Sequence, residues 1–386
     1  MNTAPAAFPR NWECIDLLRG LAILGVVFYH CIYPAFRVPP IGLREFFTEP
    51  WSAEHWLFPL TFSSIRIPLF FVISGFCIHW SWLRSKSWSA GRFFWRRFWR
   101  LYPAYLVALV CFILLKTGWP IRWSKHGWNI SSHLLLFHNL DGKFFKSYNG
   151  AFWTLAIEVQ LYALYLPLLA LRRRFGLGKT VAGLFLLANV LRLVLLPWAF
   201  DDRGKIRLFL MDATLLHWFD WAIGAYLAEK IFRREPALRR WALWPLVLLW
   251  LLADLSPWTA FWKFTLASLI AASIMERLLL WEQSGGRLSR WPVCRWLSGV
   301  GVVSYSLYLW HLPLLDLAVK MFAPWIRQPW PMYAALNLLI VPLLLVLAWV
   351  SCRCLEVAGV KIGNRLAHRP ARHEPDSPLV RDGAAG

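Results

Sequence analysis

The stretch Ile15-Asp-Leu-Leu-Arg-Gly-Leu-Ala-Ile-Leu-Gly-Val-Val-Phe-Tyr-His30 decides the fold. Continued to Phe36, it is an apolar run long enough to cross a hydrocarbon layer of roughly 30 Å, yet it carries an aspartate, an arginine and a histidine. Arg19 and His30 are eleven residues apart. That is about three helical turns, which places them within about 20° on one face and roughly 16 Å apart along the axis. Asp16, three residues before Arg19, lies near the same face. Ionisable groups within a span are costly and usually face a cavity, a partner or a substrate path. Taken alone, the same residues also fit interfacial snorkelling by Asp16 and Arg19 and a hydrogen-bonded core histidine.

The remainder of the 386-residue chain repeats this pattern. It is 58% hydrophobic with a mean hydropathy of +0.46, too apolar for a soluble protein of one or two domains. Apolar runs recur near residues 15–36, 57–81, 101–117, 151–171, 180–198, 209–229, 241–256, 259–280, 299–322 and 331–354, each about the length of a span. The expected fold is therefore all-α: a polytopic integral-membrane helical bundle of about ten transmembrane helices. With the N-terminus in the cytoplasm, the inner segments 84–100, 172–179, 230–240 and 277–295 hold six, four, five and four Lys/Arg. This bias places both termini on the cytoplasmic side. It also assigns the net charge of +21 to loops beside a lipid bilayer, so nucleic acid is not an expected partner. The chain divides into a cytoplasmic N-terminus (1–14), a membrane domain (15–356) and a basic tail (357–386) expected to be disordered. No small-residue cleavage site follows the first apolar run, which reads as a retained span.

Seven cysteines without CxxC spacing predict neither a structural disulfide nor a metal site. The longest outer loop, 118–150, holds His126, His133 and His138. On a continuous helix His133 and His138 would point about 140° apart, so no metal is expected there.

Four further stretches carry polar groups in apolar surroundings. Ser74-Gly75 in the second span offers a hydroxyl and close backbone approach, although a helix–helix contact explains small residues equally well. Arg97 and Arg100, at i and i+3 with Arg96 beside them, sit where the third span begins and suit a bidentate grip on phosphate. Glu158 lies inside the fourth span with Gln160 and Tyr162 nearby, and a carboxylate at that depth must be paired or used. Ser304, Tyr308 and His311 stack on one face of the ninth. Arg192, Asp212 and Asp220 are candidates for structural pairs.

Five of these motifs, in this order, resemble those of the acyltransferase family 3 of bacterial integral-membrane acyltransferases. The motifs are Arg19-x10-His30, Phe70-Phe-Val-Ile-Ser-Gly-Phe76, Arg97-x-x-Arg100-Leu-x-Pro103, Trp153-Thr-Leu-x-x-Glu158 and Ser304-Tyr-x-x-Tyr308-Leu-x-His311-x-Pro313. The resemblance runs from about Ile15 to Cys354 and implies acyl transfer, usually of acetyl from cytoplasmic acetyl-CoA, to a hydroxyl of an extracytoplasmic glycan. Two departures stand out. Thr154 and Val159 replace the more usual Ser and second Glu, and Val357 and Ala358 follow Glu356 where many members have a proline, so Glu356 is not carried over.

The expected enzyme is an inner-membrane O-acetyltransferase acting on an exported polysaccharide or its lipid-linked repeat unit, alongside polysaccharide export machinery. No cofactor is expected to be bound permanently; acetyl-CoA is the acyl donor. His30, Glu158 and Arg19 are the expected catalytic residues. Arg97, Arg100, Ser74 and Gly75 are expected at the donor and Tyr308, His311 and Trp153 at the acceptor. Glu158 or Asp16 is expected to tune His30. A glycan or lipid transporter or flippase would use a similar polar path, but it would show internal repeats and matched broken helices, which the sequence does not display. An acyltransferase with a non-glycan acceptor remains the other alternative.

Overall fold

The computed structural model describes residues 12–36, 65–199, 207–238, 243–253, 255–256 and 259–367. The first residues of the N-terminal segment, the start of the second expected span (57–64) and the tail beyond 367 lie outside them. The described residues form helices with no strand. Helix α1 (Glu13–Phe36) starts where the Glu282 carboxylate accepts the Glu13 and Cys14 N–H groups at 2.9 and 3.1 Å, which satisfies two of the donors a helix start leaves open. Helix α2 (Arg66–Leu83) runs back beside it. Helix α3 (Ala90–Thr117) is capped by Ser89, whose hydroxyl accepts the Arg92 N–H, and stops at Gly118 (φ +69°).

After α4 (Trp123–Leu134) come α5 (Phe152–Phe175), α6 (Leu177–Leu195), α7 (Trp218–Phe232), α8 (Leu243–Leu252) and α9 (Lys263–Gln283). Helices α10 (Pro292–Val302) and α11 (Ser304–Phe322) meet at 75°. The last rod runs from Pro329 to Ala367 with π segments at Leu336–Ile340 and Cys352–Val357. Among the described residues, seven helices are long and apolar enough to cross a membrane, or eight if the bent α10–α11 pair is one span. The two other expected spans fall on α7 and α8, which have 15 and 10 residues.

Two glycine crossings set the bundle. A Cβ on Gly20 would lie 2.0 Å from the Leu297 carbonyl oxygen, and one on Gly301 would lie 1.9 Å from that of Asp16, so α1 and α10 touch backbone to backbone. Helices α2 and α7 cross in the same way: a Cβ on Gly75 would meet the Trp221 oxygen at 1.9 Å, and one on Gly224 the Val72 oxygen at 2.0 Å. Small residues permit such approach where apolar side chains alone give no drive to associate in lipid.

Buried polar pairs link further helices. His217 stands between Asp220 (2.9 Å) and Asp212 (3.6 Å), and Arg192 donates to Thr265 Oγ1 (2.5 Å) and the Leu216 carbonyl (3.2 Å). Arg172 forks onto Glu229 at 2.8 and 3.1 Å.

Two expectations change. Residues 358–367, assigned to a disordered tail, are helical. Gly359 and Gly363 seat that helix against Trp99, and Trp95 Nε1 donates to the Gly363 carbonyl at 2.9 Å. His133 and His138 do converge: their rings stack at 3.9 Å and 8°. The 140° separation assumed an unbroken helix, but α4 ends at Leu134 and the chain reverses through Leu136 (φ 57°), with Phe137 N–H bonded to the Ser132 carbonyl.

Burial pushes His133 down to about 4 and His138 to about 3, from an ordinary 6.5. The unfolded chain therefore takes up protons below about pH 6.5 that the folded loop does not, and stability falls as pH drops from there toward 4. Amide exchange across residues 129–149 should accelerate over that window, and more weakly in His138→Gln. At the α2–α7 crossing, Gly224→Leu should cost more than the ~1–3 kcal/mol of ordinary overpacking and abolish a monodisperse detergent-extracted peak, whereas Gly183→Leu, at an open site, should leave it intact.

Candidate active site

Helices α1 and α2 run antiparallel, with contacts ten residues apart on α1 and eleven on α2. Arg19 Nη2 lies 3.5 Å from Cys77 Sγ at one end, while Tyr29, beside His30, meets Arg66 at the other. The chemistry-bearing residues therefore separate into a basic end and a histidine end about three turns apart.

At the basic end lies a cavity of about 410 Å³ lined by Arg19, Ser74, Arg97, Arg100, Glu158 and Tyr308, together with Thr154, Tyr162, Tyr305 and Glu356. It thus gathers residues from five separate sequence motifs. Glu158 accepts hydrogen bonds from Tyr162 Oη at 2.6 Å and Ser74 Oγ at 3.1 Å, and Ser74 Oγ in turn accepts from Trp221 Nε1 at 3.3 Å. Arg97 sits with its guanidinium 5.7 Å from the centres of the Phe93 and Tyr162 rings. Arg19 donates to Asp16 at 3.3 Å. A second cavity, of about 680 Å³, shares Arg19, Cys77, Ser81 and Arg97 with the first and adds Arg84, Arg96 and the indoles of Trp12, Trp80, Trp82 and Trp88. Arginines among flat rings suit a charged, aromatic ligand.

Tyr308 stands between this cavity and the histidines. Its hydroxyl donates to the Ala151 carbonyl at 2.6 Å and meets Thr154 Oγ1 at 2.5 Å. Its own carbonyl oxygen lies 2.8 Å from His311 Nδ1, and His311 Nε2 lies 3.1 Å from His30 Nδ1. A carbonyl only accepts, so His311 Nδ1 carries a proton. With both rings neutral, His311 Nε2 is then an acceptor and His30 Nδ1 the donor, which leaves the lone pair of His30 on Nε2. The pair is a relay whose tautomers are set by one backbone carbonyl.

Several expected residues sit elsewhere. The partner of His30 is His311; Glu158 bonds to Ser74 and Tyr162, and Asp16 to Arg19, because both acids lie toward the basic end. Gly75, expected at the donor, instead presses on the Trp221 backbone and does not line the cavity. Trp153 stacks on Phe145 at 5.4 Å and 23°, also off the cavity wall. Sequence reasoning set Glu356 aside, yet it lines the cavity and accepts from Ser306 Oγ at 2.5 Å. It also passed over Arg66, whose guanidinium lies 3.9 Å from the centre of the Tyr29 ring. The available signal was an arginine interrupting the apolar run Ile65-Arg-Ile-Pro-Leu-Phe-Phe71.

Comparison with known proteins identifies the family. An acyltransferase domain family matches residues 12–350. The chain is 26% identical over 350 residues to Nodulation protein 10 of Rhizobium leguminosarum bv. viciae, covering 82% of this chain and 85% of that one. It is 25% identical over 346 residues to the peptidoglycan O-acetyltransferase OatA of Listeria monocytogenes, covering 82% of this chain but only 51% of the relative, so it spans about half of that protein's length. No solved structure matches it. The match across nearly the whole chain places this protein in the family: it is a multi-pass membrane acyltransferase of the acyltransferase family 3.

Proposed function

We propose that the protein transfers an acetyl group from cytoplasmic acetyl-CoA to a hydroxyl of an exported polysaccharide or of its lipid-linked repeat unit. One observation carries the reading: an arginine-lined cavity at one end of the bundle abuts, across Tyr308, a histidine pair at the other. The positive-inside bias of the sequence assigns the basic end to the cytoplasm, and relatives named as O-acetyltransferases support the acetyl group.

In this scheme Arg97 and Arg100 hold the donor phosphates by charge-assisted hydrogen bonds. The tryptophans and arginines of the larger cavity take the adenosine end, and the pantetheine arm lies along the cavity past Arg19 toward Tyr308. Glu158 offsets the three arginines and holds Ser74 and Tyr162 in place. For the acyl group to reach His30, the Tyr308–Thr154 contact must open. His30 Nε2 removes the proton from the acceptor hydroxyl as the oxygen attacks the thioester carbonyl. His311 keeps the ring in the required tautomer and disperses the imidazolium charge. The C–S bond then breaks and the CoA thiolate takes the proton from His30.

Two outcomes test the assignment. His30→Ala should lower O-acetyl transfer by about 10²–10⁴-fold at normal protein abundance, read by proton NMR of surface and secreted polysaccharide from a complemented deletion strain. O-acetyl signals that persist in that strain would remove His30 from the chemistry. Arg97→Ala should weaken binding of CoA to purified protein while His30→Ala leaves it intact, because the two residues serve opposite ends of the path. CoA binding that survives loss of both Arg97 and Arg100 would displace the donor site.

A further inference from the structure

The loop between α3 and α5 is basic on the side of the bundle where the charge bias of the sequence expects few cations. From Lys116 to Gly150 it holds five Lys/Arg, namely Lys116, Arg122, Lys125, Lys143 and Lys146, against one acid, Asp141. The segment 37–64, on the same side in the expected topology, holds two arginines and three glutamates, so the excess belongs to one loop. That loop stands at the histidine end. Lys116 follows Arg100 by sixteen residues on α3, about 24 Å along the axis. Lys116 Nζ donates to the Ser147 carbonyl at 2.6 Å, Asn149 Nδ2 to that of Leu309 at 3.0 Å, and Tyr308 Oη to that of Ala151 at 2.6 Å. Residues 149–151 thus pack on the turn of α11 that carries His311.

The two halves of the loop differ. Beside Arg122 and Lys125, the side chains of Trp123, Trp128 and Leu135 are 60, 66 and 70% exposed, as on a surface that rests on lipid. From Asp141 to Ala151 no large apolar side chain is exposed: Phe145 and Tyr148 are buried, and Phe145 stacks on Trp153. Lys143 and Lys146 are exposed there, and neither side chain has a hydrogen bond or ion pair among the described residues. They stand over polar surface, on the segment that leads to the histidines.

We infer that the acceptor glycan is anionic, and that Lys143 and Lys146 hold its carboxylate or phosphate groups while a neighbouring hydroxyl reaches His30. The inference rests on the acetyl-transfer reading and names its acceptor class. A lysine is a point charge on a flexible stem, suited to a polymer that presents the same charge repeatedly. One exposed ion pair adds little, but a cationic surface raises the local concentration of a polyanion. The lysines therefore act on acceptor binding and not on the reacting atoms.

The test uses purified full-length protein in nanodiscs of zwitterionic lipid, with radiolabelled acetyl-CoA as donor. The acceptor is the envelope glycan fraction of a deletion strain in three forms: as isolated, after carbodiimide–borohydride reduction of carboxylates to alcohols, and after dephosphorylation. Lys143→Glu combined with Lys146→Glu should raise the acceptor KM about tenfold or more, with kcat and CoA binding unchanged. Raising salt from about 0.05 to about 0.5 M should remove most of that difference. Arg122→Gln combined with Lys125→Gln, on the lipid-facing half, should leave KM alone. One of the two glycan treatments should raise the wild-type KM toward that of the glutamate variant and so identify the anion. An unchanged KM in the glutamate variant, or equal efficiency with all three glycans, would overturn the inference. So would a loss that follows added phosphatidylglycerol instead of the glycan's charge, which would assign the lysines to lipid headgroups. Failure of the underlying reading looks different: wild-type protein would then label none of the three glycans, and the inference would fall with it.

Discussion

Backbone contact at Gly20 and Gly301 is the constraint on which the site depends. It fixes α10 against α1 between Asp16 and Gly20, next to Arg19. From there the chain turns 75° into α11. The bend sends α11 along the upper half of α1, so that His311 meets His30 rather than lipid. The second crossing, Gly75 with Gly224, does the same for α2 and places Ser74 against both Glu158 and Trp221. Side chains larger than hydrogen at either point would push apart helices whose polar groups must meet within hydrogen-bond distance. A few tenths of an ångström is all that such contacts allow.

Electrostatic cost shapes what is left. Charged side chains inside a bundle persist when they are paired, hydrogen-bonded or used. Arg172 and Glu229 are paired, and His217 sits between two aspartates. Glu158 has two hydroxyl donors and three arginines around one cavity, an arrangement that leaves the arginines available to an anionic ligand. With both rings neutral, one carbonyl oxygen orders the two histidine tautomers and leaves one lone pair on His30 Nε2.

Much of this was legible in the sequence. The Arg19–His30 spacing on one helical face, the i, i+3 arginines and the mid-span glutamate are local regularities, and one cavity gathers Arg19, Arg97, Arg100 and Ser74 together with Glu158, expected beside His30, and Tyr308, expected at the acceptor. What escaped depends on pairings between helices far apart in the chain. Nothing in the sequence near His30 says that its partner is His311, 281 residues away, or that Glu158 turns toward Ser74. Gly75 reads identically as a ligand cradle and as a helix crossing until Trp221 is seen against it. Arg66 falls outside the motif positions, although an arginine interrupting the apolar run 65–71 is its own signal. The stacking of His133 on His138 was hidden by a helix end that periodicity extended too far.

The central claim is that the donor enters at the arginines and delivers its acyl group past Tyr308 to His30. A cryo-EM structure of the protein with a non-hydrolysable acetyl-CoA analogue tests it most directly. The account predicts phosphates on Arg97 and Arg100, an open Tyr308–Thr154 contact, and the acyl carbon beside His30. An analogue lying wholly within the basic cavity, its acyl group against Ser74 and Glu158 and the Tyr308–Thr154 contact intact, would contradict it.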